Sequence, residues 1–239
     1  MLNNQSVQGN GGPARVSGLR RQAGMTLIES MIALGLSMFV TSAMVVLMSN
    51  SLGTASKVIQ MTQLTDELRN TMSMLSRDLR RANYSANAAY CYANSDCGID
   101  GSATQSPDIT IVNNSCVTFN LDRNRDGNAS TDDAGAFRRR VVNGVGLVEM
   151  WIGNSSPNCA ASNANWVGVT DPSFVDVTRF NIDDSDSFVI SFPNEDGSTV
   201  NQRSRRVVVE IQGRLVRENS ITRTIQDEIK VRNDLISKV

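Results

Sequence analysis

Histidine is absent from this chain of 239 residues. Without it there is no Ser-His-Asp triad, no Cys-His nucleophile pair and no His-ligated metal site. Aromatic residues make up only 5% of the sequence, too few for a surface that stacks on bases or sugars. Proline is scarce, and none lies between Gly24 and Ser106, so no proline breaks a helix there. Charge is missing from one long stretch: after Glu29 the next charged residue is Lys57, which leaves residues 30–56 neutral. CxxC spacing is also missing among the four cysteines, which argues against a zinc site.

The neutral stretch dominates what is present. A helix crosses a bilayer with about 20 apolar residues, and residues 25–48 supply that length. Gly35 is the one weak helix former deep inside it, and membrane helices tolerate glycine. Glu29 is out of place. A carboxylate in a membrane segment costs about 2.5–3.5 kcal/mol on insertion scales, so it is normally paired or functional. Either it reaches water at the interface or it pairs with a cation. The segment itself holds no Lys or Arg, so such a partner comes from another chain.

Gly24-Met25-Thr26-Leu27-Ile28-Glu29, followed by the apolar run, resembles the class III signal of type IV pilins and pseudopilins. The resemblance implies that a prepilin peptidase cuts after Gly24 and that the new amino terminus on Met25 is N-methylated. It also implies that Glu29 pairs with the terminal amine of a neighbouring subunit. Two groups costly in lipid then neutralise each other only on assembly. The family usually has Phe where this chain has Met25, and a leader of 24 residues is long for a simple pilin. An ordinary secretory signal is the competing reading of residues 1–50, but the apolar run exceeds the usual h-region and Glu29 sits at its start.

Residues 1–24 form the expected leader and are excluded from the fold. They carry Arg15, Arg20 and Arg21 and no acid, which places the N-terminus in the cytoplasm and the remainder across the membrane. Removing them leaves 20 basic and 24 acidic residues, a net charge of −4. No basic surplus remains to neutralise phosphates, which argues against nucleic acid as a partner. Four cysteines outside the cytoplasm read as two disulfides. Of the three pairings possible, Cys91–Cys97 with Cys116–Cys159 is the favoured one.

Residues 25–50 are the membrane half of a long N-terminal helix, and residues 51–83 its amphipathic continuation. Met61, Leu64, Leu68, Met72, Leu75 and Leu79 recur at helical spacing and predict one buried face. At 1.5 Å per residue the whole helix spans about 85 Å. Residues 84–239 read as a disulfide-containing, β-rich domain, beginning with a long loop over 84–107. Strands are expected at 109–112, 116–121, 137–142 and 146–152, the last two joined by the hairpin signal Asn143-Gly144. Residues 153–173 read as loop. Strands follow at 174–182, with no clear buried face, at 187–192 and from Val207. Ile221, Ile225 and Ile229 fit helix or strand, and strand is preferred. Val231-Arg232-Asn233 resembles the closing strand of PilW-type minor pilins. The expected fold is α+β: a long N-terminal α-helix packed on an antiparallel sheet of about eight strands, a pilin-like roll.

Residues 122–133 hold a second pattern. Asp122, Asn124, Asp126, Asn128, Ser130 and Asp133 alternate oxygen side chains around Gly127, as in the D-x-[DN]-x-[DN]-G core of a calcium loop. The last position is Asp rather than Glu, strands flank the loop, and Arg123 and Arg125 lower its negative charge. The plainer reading is a solvated hairpin loop.

No catalytic constellation emerges, and the acidic pairs at 183–186 and 195–196 sit in turn sequence, so an enzyme is not expected. The resemblance implies a PilW-like minor pilin in the inner membrane and the pilus fibre. Its implied partners are prepilin peptidase, other minor pilins, the major pilin, a possible tip adhesin, and membrane lipid before assembly. Its implied role is priming of the fibre. A J-type pseudopilin of type II secretion is the alternative within the family. A membrane-anchored calcium-binding adhesion domain that does not polymerise is the alternative outside it.

Overall fold

The computed structural model describes residues 24–86, 109–127, 130–162, 164–193, 197 and 199–238. One helix, α1 (Leu27–Arg81), is followed by eleven strands among the described residues. They are β1 (Thr110–Val112), β2 (Cys116–Asn120), β3 (Ala134–Val142), β4 (Val145–Trp151), β5 (Trp166–Gly168) and β6 (Val175–Asp183). Then come β7 (Phe188–Pro193), β8 (Thr199–Ser204), β9 (Arg206–Leu215), β10 (Thr222–Lys230) and β11 (Leu235–Lys238). The α+β class expected from the sequence is observed. The chain divides into two compact units, Met1–Thr54 and Ala55–Val239.

In the first unit every described residue is solvent-exposed, including the apolar ones. The helix is long and apolar enough there to cross a membrane. Thr26 starts it by accepting the Glu29 amide at its hydroxyl, 3.3 Å, while its carbonyl accepts the Ser30 amide. Thr26 and Glu29 thus stand in capping-box spacing, and Glu29 lies favourably at the positive end of the helix dipole.

In the second unit the helix has one buried stripe. Leu64, Leu68, Met72, Leu75 and Leu79 are buried, and Met61 is half-buried at its edge. Burying each such side chain is worth about 1.5–3 kcal/mol. The stripe shares a core with Val175, Val177, Val207, Val209, Ile211 and Ile229. Gly213 lies within that packing: a Cβ there would meet the Leu68 side chain at 3.1 Å, so its lack of a side chain lets helix and strand approach.

The strands form three antiparallel sheets, ordered β1-β2-β3-β4-β5, β10-β9-β6 and β11-β8-β7. The hairpin at Asn143-Gly144 is as expected, with φ of 52° and 81°, both in the left-handed region that such a turn demands. The first two sheets meet where Gly146 of β4 crosses β6. A Cβ at Gly146 would fall 2.1 Å from the Val177 carbonyl oxygen. There the Gly146 amide donates to Asp176 and the Arg139 Nε donates to the Val177 carbonyl.

Several boundaries differ from expectation. β5 lies inside residues 153–173, read as loop, and β8 and β11 bring the strands to eleven rather than about eight. Thr222–Lys230 is strand, as preferred for Ile225 and Ile229, with Ile221 just before it; the closing strand is β11, and Val231-Arg232-Asn233 follows β10 and is not itself a strand. Its actual role is at the helix end. The Arg232 amide donates to the Arg80 carbonyl at 3.0 Å, and Asn233 Nδ2 donates to the Arg81 and Ala82 carbonyls at 3.2 and 3.0 Å. These satisfy carbonyls that a helix terminus leaves without partners.

Candidate functional site

Two places carry candidate function: the start of α1 and the connection between β2 and β3. At the first, Gly24 and Met25 lie just before the helix, exposed, and among the described residues none beyond its chain neighbour comes within 4 Å of where a Gly24 Cβ would stand. Glu29 is exposed in the first helical turn and has no ion-pair partner among the described residues. Behind it Leu27, Ile28, Met31, Ile32, Leu34 and Phe39 are each more than half exposed. Such a helix needs a cover of lipid or other helices.

At the second place the chain leaves β2 at Asn120 and passes a short 3-10 turn, Thr131–Asp133, before β3. Asp122, Asp126 and Asp133 are brought together, with one carboxylate oxygen from each lying within 4.8 Å of the others. Asp122 and Asp133 are buried and Asp126 is exposed. Asp133 accepts the Arg123 amide at Oδ1, and the Ser130 amide and hydroxyl at Oδ2. Asp122 Oδ2 accepts the amides of Ala86, 2.8 Å, and Gly127, 3.1 Å. Its Oδ1 is buried and accepts no hydrogen bond.

The other expected ligands are placed differently. Asn124 turns onto Asp126, accepting its amide and donating to its Oδ2. Ser130 donates to Asp132 and Asp133 and starts the 3-10 turn. Asn128 lies outside the described residues. Gly127, with φ of 78°, makes the sharp turn expected of it.

The connection also touches the helix exit. The Asn83 amide donates to the Asn120 carbonyl, and the Asp122 amide to the Tyr84 carbonyl. With the Ala86 amide on Asp122, these tie the segment leaving α1 to the end of β2. A cavity of about 360 Å³ beside it is bordered by Asp122 and by Arg80, Arg81, Arg123, Arg125 and Arg232.

The disulfide Cys116–Cys159 is present, with a Cα–Cα distance of 6.1 Å. Cys91 and Cys97 lie outside the described residues. A cluster not read from the sequence surrounds the bridge. Cys116, Arg138 and Glu149 sit opposite one another on β2, β3 and β4. The buried Arg138 bonds Glu149 through Nε at 2.8 Å and reaches the carbonyls of Cys159 and Ala161. Its guanidinium lies 4.0 Å from the centre of the Trp166 ring, which meets Trp151 edge-on. The only sequence signal was an Arg-rich strand facing a Glu-bearing one across the Asn-Gly turn.

One electrostatic contact joins the helix to the loop before β6. Glu67 accepts the Asp171 amide. Burial pushes the Glu67 carboxyl above its ordinary value; that hydrogen bond opposes the rise and the Asp171 charge adds to it. Asp171 is held below its ordinary value by the Ser173 hydroxyl and amide.

The family model described as prepilin peptidase-dependent protein B matches residues 57–231, well over half of the chain. The model described as the prokaryotic N-terminal methylation motif matches residues 19–45. No curated protein and no solved structure matches the chain.

Proposed function

The chain belongs to the prepilin peptidase-dependent protein B family and is a pilin-like protein processed by that peptidase; from this premise we propose that it is a non-catalytic minor pilin of the PilW type that primes assembly of a type IV pilus. Its class III signal and apolar helix anchor it in a membrane. The peptidase cuts after Gly24, and Met25 becomes the N-methylated terminus. Before assembly the helix sits in the inner membrane, with the N-terminus cytoplasmic and the second unit periplasmic. On assembly Glu29 pairs with the terminal amine of a neighbour. The helix exchanges lipid for other pilin helices, and the strands and loops choose partners among minor pilins, the major pilin and a tip adhesin.

The observation that carries this reading is Glu29 itself. It is an exposed carboxylate at the head of an exposed, uncharged helical run, with no cation beside it among the described residues. A group so placed is stable in an apolar surrounding only when a partner supplies the opposite charge. The test is Glu29→Ala in the native host. The variant is expected at mature size in the membrane and missing from sheared fibres. Normal recovery from fibres would refute the pairing.

A further inference from the structure

We propose that Asp122, Asp126 and Asp133 form a calcium site that fastens the segment leaving α1 to the β2–β3 connection. Calcium binds oxygen ligands at about 2.3–2.6 Å, so oxygens around one ion lie up to about 5 Å apart. The three carboxylate oxygens, within 4.8 Å of one another, fit around a single centre. Clustered acids on a surface do not by themselves make a site. Here two of the three are buried, and Asp122 Oδ1 is buried with no hydrogen bond, whereas its Oδ2 accepts two amides. A buried charged oxygen without a donor is costly unless a cation meets it.

The donor chemistry selects the ion. The group holds carboxylates alone, hard oxygen donors that suit calcium or magnesium rather than zinc or copper. Magnesium demands near-ideal octahedral geometry and keeps several waters, whereas calcium accepts the irregular geometry of a loop. The D-x-N-x-D-G order, with Gly127 at φ of 78°, folds Asp122 and Asp126 back onto one centre. Arg123 and Arg125 are exposed, so solvent screens their charge. Asn124 reaches an ion only by leaving Asp126.

The consequence is mechanical. Asp122 also receives the Ala86 amide, and its own amide bonds Tyr84. An ion on Asp122 therefore holds residues 84–86 at the point where the chain leaves the helix. This holds whether or not the chain polymerises.

The test uses the full processed chain in detergent, melted with calcium, with magnesium and with chelator. Calcium at about 100 times its Kd is expected to raise the Tm by about 5–10 °C over chelator. Asp126→Asn is expected to lose most of that rise, read as the difference between its own melting in calcium and in chelator. Asp122→Asn disturbs the two amides as well, so Asp126→Asn carries the test. Equal wild-type melting in calcium and chelator would overturn the site. A full calcium shift in Asp126→Asn would overturn the ligand set, and an equal shift with magnesium the assignment to calcium.

Discussion

Ser76 on α1 donates its hydroxyl to Asp227 on β10 at 2.7 Å, across 151 residues of chain. Asp227 lies on the strand face that also carries Ile225 and Ile229, so the sequence places an acid among apolar neighbours. The helix answers it with Ser76 and, one turn on, with Arg80 at 3.9 Å. A polar contact thus fixes the rotation and height of the helix on a sheet that apolar packing alone would hold less specifically.

Asp227→Ala should therefore destabilise the protein by about 1–2 kcal/mol, since it strands a mostly buried hydroxyl and loosens Arg80. Thermal or denaturant unfolding of the processed chain checks this. A double variant with Ser76→Ala should cost little more than either single change, and full additivity would show that the two do not interact.

Asn233→Ala should lower stability by about 1 kcal/mol, the scale of a lost helix cap. It removes the amide that bonds the Arg81 and Ala82 carbonyls. Hydrogen exchange is expected to rise first at residues 79–83, and unchanged protection there would contradict the capping role.

Reduction of Cys116–Cys159 reopens a loop of 43 residues, worth about 4 kcal/mol by loop entropy. Arg138→Ala should cost about 3 kcal/mol, because the buried Glu149 loses its close partner and keeps only the half-exposed Arg140 at 3.6 Å. Arg138 also holds the Cys159 and Ala161 carbonyls. Cleavage by a protease within residues 153–165 should therefore quicken in Arg138→Ala even with the disulfide intact. Identical cleavage rates would remove Arg138 from that role.

Glu67 gives a pH signature. Its folded value lies above the ordinary 4.5, so the folded protein holds a proton that the unfolded chain has lost. Its ionisation costs stability at neutral pH, and the cost disappears as pH falls through the raised value towards 4.5. Asp171 acts in the opposite sense below its ordinary 3.8, where its stabilising contribution is lost. Between neutral pH and 4.5 the Tm of wild type should gain on that of Glu67→Gln. Parallel Tm profiles would contradict this.

These features were unequally legible from the chain. The helix was, because its apolar stripe, its missing charges and its missing prolines all agree; it ends at Arg81, close to expectation. The β3–β4 hairpin was too, since Asn143-Gly144 supplies the two positive φ values its turn needs. The buried face of β6 was not, for a physical reason. Val175 and Val177 are buried, the register shifts between Val177 and Arg179, and burial then continues at Phe180 and Ile182. A bulge changes parity, so alternation read straight along the strand fails. β8 reads Thr-Val-Asn-Gln-Arg-Ser and has little apolar signal. At the β2–β3 connection the three acids were readable from spacing. That Asn124 and Ser130 bond their neighbours depends on local turns that spacing does not encode.

The most direct measurement is the intact mass and N-terminal sequence of the chain recovered from sheared fibres of its native host. A priming minor pilin should be present in the fibre fraction as a chain that begins at N-methylated Met25. A chain that still carries residues 1–24, begins within residues 49–55, or stays wholly in the membrane fraction would contradict the proposal.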